Sequence, residues 1–405
     1  MSRLTISIST ALILALAAAL PASAQVKTIT IGVLEDQSGL YADATGAGSN
    51  LAAQMAVEDS GLAQKGWKVN VVWADHLNKA DIGASIARKW FDVGKVDAIV
   101  GLGNSSVSLA VNQVAKEKNK VAVVTSGATS DLTGIACTPN TIHYTYDTYA
   151  LANSTGTAMT KGGGTTWFFI TADYAFGAAL ERDTTTAIVR AGGKVIGGVR
   201  HPLNTSDFSS YLLQAQSSGA KVVGFANAGS DATNAIKQAA EFGMTKSSQK
   251  MAALLMFLTD VHALGLRVAQ GLNLTTTFYW DLNDRTRAFS ARYAKRMKNG
   301  AVPTMPQAGT YAGTLHYLKA AEAMDGDVGD GAKIVARMKE LPTDNELFGK
   351  GYIRADGRGI HPVHLFQAKA PAESNSPWDL YKLVDTLPGD QGFRPLHEGG
   401  CPLVK

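Results

Sequence analysis

The chain has 405 residues, 45% of them hydrophobic and 18% charged, with a formal net charge of +4. That is a globular composition, long enough for two or three domains. Its charges are mixed along the sequence with no basic block, which speaks against nucleic acid as a partner.

The N-terminus points to export. Arg3 precedes an uninterrupted apolar run at residues 11–20, and Ala22, Ser23 and Ala24 supply the small-x-small pattern of a signal-peptidase site. Residues 1–24 are therefore expected to be a signal peptide, with the mature chain starting at Gln25 in the periplasm. The apolar run is too short to cross a hydrocarbon core that needs about 20 residues. No cysteine follows the cleavage motif, so a freely soluble product is expected rather than a lipid-anchored one. Cys137 and Cys401 are the only cysteines, and an oxidising compartment favours their pairing; two separate buried thiols are the alternative. Neither has a second cysteine or a histidine at ligand spacing, so no metal site is expected.

Short β-rich runs then alternate with helical patterns. Residues 28–34 read as a first strand, 50–59 as a helix and 69–73 as a second strand. Ile82, Ile86 and Trp90 recur at helical spacing. Strands at 98–100 and 121–124 bracket a helix at 107–118. The same grammar restarts with a strand at 167–170, a helix at 176–189, strands at 194–199 and 222–226 around a helix at 208–215, a helix at 232–242 and a strand at 251–255. A strand is read at 275–280, and long helices at 284–298 and 310–323. Two sets of β-α units predict an α/β protein with two doubly wound parallel-sheet lobes. Ligands of such sheets bind beyond the carboxyl ends of the strands.

Enzyme and cofactor signatures are absent. The glycine pairs Gly46/Gly48 and Gly101/Gly103 lack the third glycine of a dinucleotide fingerprint, and Gly162 to Gly164 lead into no phosphate-cradling lysine. There is no GxSxG or HExxH motif. His361 and His364, separated by Pro362 and Val363, read as ordinary strand or turn residues. No enzyme activity and no cofactor is expected.

Two small, hydroxyl-rich loops stand out. Gly101 to Ser106 (GLGNSS) follows one predicted strand and opens a helix, and Thr125 to Thr129 (TSGAT) follows the next. Free backbone N–H groups and a helix start suit a carboxylate; turn chemistry and capping by Ser and Asn explain either loop alone. Two such loops on adjacent strand ends favour a shared anion site.

These loops, with ITIGVLEDQSG at 29–39, DYAFG at 173–177 and the segment 208–215, make the chain resemble type I periplasmic solute-binding proteins of the branched-chain amino acid class. The resemblance covers essentially the whole mature chain. It implies two lobes joined by a three-strand hinge: 26–146 with 282–355, and 147–281 with 356–390, plus a tail at 391–405 tied to the first lobe. It also implies a ligand closed between the lobes and delivered, by a monomer, to an ABC permease in the inner membrane.

By that resemblance Ser105, Ala128 and Thr129 hold a ligand carboxylate, with Asn104 and Gly127 in the same loops, and Phe176 packs on the ligand. Amino-acid binders place an acidic residue near the segment corresponding to 254–259, where this chain reads Leu-Leu-Met-Phe-Leu-Thr. A buried ammonium without a counter-charge is costly. The pattern is closer to the subgroup that binds aromatic or other carboxylic acids, of benzoate or phenylpropanoid type. Tyr41, Tyr174, Gly229, Met256, Phe257 and Trp280 are candidate pocket residues. Asp281 is a hydrogen-bond acceptor or a helix cap, and Asp260 or Asp281 a possible counter-charge. A branched-chain amino acid carrier, or a sensory receptor of the same fold, is the alternative.

Overall fold

The computed structural model describes residues 26–404; the expected signal peptide lies outside them. A first sheet contains β1 (Thr28–Glu35), β2 (Lys68–Asp75), β3 (Ala98–Gly101), β4 (Val121–Val124) and β5 (Thr141–His143), in the order β2-β1-β3-β4-β5. A second contains β6 (Thr166–Ala172), β7 (Lys194–His201), β8 (Val222–Ala226) and β9 (Lys250–Ala253), in the order β7-β6-β8-β9. Every pairing in both sheets is parallel. Strands β3, β4 and β8 are buried along their whole length, as expected where helices cover both faces and the sequence reads as continuous apolar runs.

In each sheet the strand order reverses beside the first strand, β1 or β6. Doubly wound sheets open their ligand crevice at such switch points. The loops after β1, β3 and β4 therefore face those after β6 and β8.

An antiparallel sheet of β10 (Asn273–Thr276), β13 (Val363–Ala368) and β14 (Tyr381–Leu387) packs on the second lobe, with Leu274, Phe366 and Tyr381 joining the core of Phe168, Ile170 and Phe225. A hairpin of β11 (Tyr352–Ile353) and β12 (Gly359–Ile360) lies between. Helices Asp284–Ala294 and Met305–Ala323 return to the first lobe. There the hydroxyl of Tyr311 donates to Asp59 at 2.8 Å and Thr304 Oγ1 donates to the Ala44 carbonyl at 2.6 Å. Gly48 is what allows this approach, since a Cβ there would lie 2.3 Å from the Tyr293 hydroxyl.

The chain passes between the lobes after β5, after β10 and between β12 and β13. Arg358, fully buried, ties two of these crossings together: its Nη1 donates to the Tyr146 carbonyl at 3.1 Å and faces Asp147 at 3.5 Å. Arg358 also makes an isolated parallel bridge to His143, the last residue of β5.

Several elements differ from their predicted bounds. The first helix is Gly46–Asp59 and the third Ser105–Lys118; their opening residues are small and carry no apolar periodicity. Strand β10 ends at Thr276, short of the expected 280. The helix expected at 284–298 ends at Ala294. Cys137 and Cys401 form a disulfide, with Cα atoms 5.6 Å apart. His361 and His364 are buried, with the rings bonded to the Tyr144 carbonyl and the Thr386 hydroxyl. Among the described residues no helix is long and apolar enough to cross a membrane, and no cluster of side chains could hold a metal.

Candidate functional site

The strand ends converge on a small closed cleft. The first lobe contributes Tyr41, Gly103, Ser105, Ser126, Ala128 and Tyr146; the second contributes Tyr174, Phe176, Ala228, Leu255 and Phe257. The enclosed space is about 10 Å³, room for about one water, so the lobes must part to admit an organic ligand. A larger groove of about 790 Å³ lies at Gly162, Lys250 and Asn273. It sits at the amino ends of β9 and β10, the wrong end of the strands for a crevice of this fold.

The floor of the cleft is built from hydroxyls and main-chain amides. Asn104 caps the helix Ser105–Lys118, its side chain accepting from the amides of Ser106 and Val107 at 2.9 and 3.2 Å. That cap leaves Ser105 at the first turn, where its Oγ accepts from the amides of Ala128 and Thr129 at 3.4 and 3.2 Å. Ser126 donates to or accepts from Glu35 Oε1 at 2.5 Å, and the Gly103 amide donates to Glu35 Oε2 at 2.7 Å. Burial pushes the Glu35 carboxyl up to about 8, against the pull of these hydrogen bonds and with Asp36 adding like charge.

The walls are aromatic. The hydroxyls of Tyr41 and Tyr174 meet at 2.5 Å across the lobes, the Tyr174 ring lies 5.9 Å from Phe176, and Tyr146 meets Phe257 edge-on at 6.5 Å. Burial raises the phenols of Tyr41, Tyr146 and Tyr174 above their ordinary range, so all three are neutral at physiological pH.

Six of the expected residues line the cleft: Tyr41, Ser105, Ala128, Tyr174, Phe176 and Phe257. Asn104 and Gly127 stand behind it. The Gly127 carbonyl meets His143 Nε2 at 2.8 Å, and a Cβ at Gly127 would fall 1.9 Å from Ser108 Oγ. Thr129 offers its amide to Ser105, but its hydroxyl accepts from the Asp131 amide at 3.4 Å, capping its own turn. Gly229, at φ +61°, lets the lobes close, since a Cβ there would lie 2.4 Å from the Leu40 carbonyl oxygen.

Four candidates are not among the residues lining the cleft. Met256 faces a separate small cavity with Phe278, Tyr279 and Tyr381. Trp280 lies beyond the end of β10, its Nε1 donating to the Trp378 carbonyl at 2.8 Å. Asp281 pairs with Arg287 at 2.8 Å on the surface. Asp260 is buried, but its carboxylate accepts from the Phe257 amide at 2.8 Å at the start of a helix. Tyr146, Ala228 and Glu35 were not singled out by the sequence; Glu35 closes β1 one residue past the expected strand 28–34.

The comparisons agree with this architecture. The model of the periplasmic binding protein family matches residues 28–375. A periplasmic binding protein of Burkholderia mallei is 51% identical, covering 94% of this chain and 100% of that one, with a TM-score of 0.90. Leu/Ile/Val-binding protein homolog 6 of Brucella melitensis is 26% identical over 387 residues, 92% of this chain and 95% of its own. A solute-binding protein of an ABC transporter from R. palustris, in complex with 4-hydroxybenzoate, shares the fold at 22% identity, covering 89% of this chain and 97% of that one, with a TM-score of 0.81. Transporter binding proteins of this kind are not enzymes. With two parallel-sheet lobes meeting at their switch points and a family match over most of its length, the chain belongs to the type I periplasmic binding proteins of the branched-chain amino acid-binding class.

Proposed function

We propose that this solute-binding component of an ABC transporter captures a small carboxylic acid with an aromatic body. One observation carries the reading: every side chain lining the cleft is a hydroxyl, a small residue or an apolar or aromatic group, and none is a carboxylate. The carboxylate of a ligand would take the proton of the Ser105 hydroxyl, whose Oγ accepts from the amides of Ala128 and Thr129. Its ring would lie among Tyr41, Tyr146, Tyr174, Phe176 and Phe257, where aromatic faces and edges complement one another. A ligand ammonium would lose its water without finding a carboxylate in the lining; Asp281 pairs with Arg287 on the surface and Asp260 accepts from the Phe257 amide. The R. palustris protein of the same fold holds 4-hydroxybenzoate, which supports the ligand class.

In the proposed cycle a monomer opens at its three crossings, closes on the ligand and hands it to the permease. The moving bodies in this reading are 26–146 with 282–355 and 147–281 with 356–390, with the tail at 391–405 tied to the first. The name of the Brucella relative favours a second reading, a branched-chain amino acid. Calorimetry with benzoate, 4-hydroxybenzoate, leucine, isoleucine and valine separates them. Micromolar binding of the aromatic acids, about −8 kcal/mol, with weak binding of the amino acids is expected. The opposite ranking overturns the proposal.

A further inference from the structure

We propose that Glu35 is a positioning residue that sets the hydrogen-bonding polarity of the cleft: as a carboxylic acid it donates its proton to Ser126, and the Ser126 hydroxyl then donates to the ligand. This rests on the reading of the ligand as a carboxylate.

Glu35 is the last residue of β1 and is fully buried. Its Oε2 is taken by the Gly103 amide, which leaves Oε1 to meet Ser126 at 2.5 Å and Ser49 at 3.5 Å. The glycines of the GLGNSS loop are shaped around this carboxyl: a Cβ at Gly101 or at Gly103 would come within 2.6 Å of one of its oxygens. The loop is thus held against Glu35 on one side while Gly103 and Ser126 border the cleft on the other.

A serine hydroxyl has one proton to give. Beside a carboxylate, Ser126 must spend that proton inward and would present only lone pairs to the cleft, which repel a ligand carboxylate. Beside a carboxylic acid, Ser126 accepts from Glu35 and its own proton is free for the ligand.

The surroundings favour the acid. Asp36, next in sequence, is held by the amides of Gly39 and Tyr41 and by Asn78, and its charge opposes a second one beside it. His76, at the end of β2, gives its amide to the Glu35 carbonyl at 3.1 Å, and burial pushes its ring down to about 4, so it brings no positive charge. Tyr146 is a neutral phenol bonded to the Ser126 carbonyl at 2.7 Å. The helix Gly46–Asp59 contributes only Ser49, and the loops after β3 and β4 contribute only the Gly103 amide and Ser126. With burial dominating, the carboxyl stays protonated up to about pH 8.

Ligand affinity is then linked to one proton. Benzoate should bind with constant affinity up to about pH 8 and about tenfold more weakly per unit above it, a loss of about 30-fold between pH 7 and pH 9.5. Calorimetry of the whole mature protein with benzoate, across that range, tests the slope. Glu35→Gln keeps an N–H donor toward Ser126 at every pH, so its profile should be flat whatever its affinity. A flat wild-type profile overturns the role of Glu35 and leaves the carboxylate reading standing. If benzoate binds at no pH, the ligand reading fails, and carbon-13 NMR of the glutamate carboxyls in the ligand-free protein decides Glu35 by itself. A resonance that titrates near 8 and vanishes in the variant supports the assignment; an ordinary midpoint near 4.5 overturns it.

Discussion

The hydroxyls of Tyr41 and Tyr174 lie 2.5 Å apart, one from the loop after β1 and the other from the loop after β6. They join the two lobes directly over the cleft. Nearby, Gly229 and Leu40 approach so closely that only a glycine fits, and the Ser230 amide donates to the Leu40 carbonyl at 3.3 Å. Removing one phenolic oxygen takes a bond from the closed state and none from either lobe alone. Tyr174→Phe should therefore weaken ligand binding by about 0.5–1.5 kcal/mol, about three- to tenfold, with thermal stability of the ligand-free protein little changed. Calorimetry and a melting curve together check this.

The floor makes a sharper distinction. Ser105 Oγ stands where the amides of Ala128 and Thr129 converge, whereas the Thr129 hydroxyl is turned into its own capping bond. Ser105→Ala should cost affinity for an ionised carboxylate, about 1.5–3 kcal/mol, and Thr129→Val should cost almost none. Comparable losses in both variants, measured by calorimetry, would show that the anion reaches deeper than Ser105.

How far the sequence disclosed this arrangement depends on what each residue signals. Apolar runs such as 121–124 and the loops after them were legible, because buried parallel strands are short, β-branched and ended by small polar residues. The helix starts at Gly46 and Ser105 were not, since Gly, Ser and Ala carry no periodic signal. Trp280 and Asp281 were read as pocket residues from a strand that in fact stops at Thr276; alternation cannot tell where a strand ends. The acidic residues illustrate the limit best. Asp260, Asp281 and Glu35 look alike in sequence, yet one caps a helix, one pairs with Arg287 and one lies buried behind Ser126. Only the three-dimensional partners separate those roles.

The C-terminal tail is fastened at several points. Beyond the disulfide, Arg394 Nη2 donates to the Ser130 carbonyl at 2.8 Å on the first lobe, and Glu398 reaches Arg190 of the second at 2.8 Å. The disulfide spans 264 residues of sequence, for which chain-entropy models give roughly 5 kcal/mol, with measured effects often smaller. Replacing both cysteines with serine should lower the melting temperature clearly while ligand affinity changes little, because neither cysteine borders the cleft. Thiol titration of the denatured, unreduced exported protein should find no free sulfhydryl; two would disprove the bridge in the exported protein.

The buried Glu35 also shapes stability against pH. Its folded-state carboxyl is raised to about 8 by burial from an ordinary value of 4.5, so between those limits the folded chain holds a proton that the unfolded chain has released. Stability from this group is therefore complete below about pH 4.5 and declines as pH rises toward 8, beyond which the folded carboxyl ionises too and the slope ends. Burial raises Asp260, to about 7, and Asp231, to about 6, in the same direction, so the wild-type curve alone does not isolate Glu35. The variant Glu35→Gln does, because it removes one titrating group and retains its shape. Relative to wild type it should gain stability steadily from pH 4.5 to 8, with no further change above that. Urea unfolding at pH 4.5, 6, 7 and 8 measures the difference directly. A constant offset between the two proteins across this window would mean that Glu35 titrates like an exposed glutamate, and that Ser126 spends its proton inward.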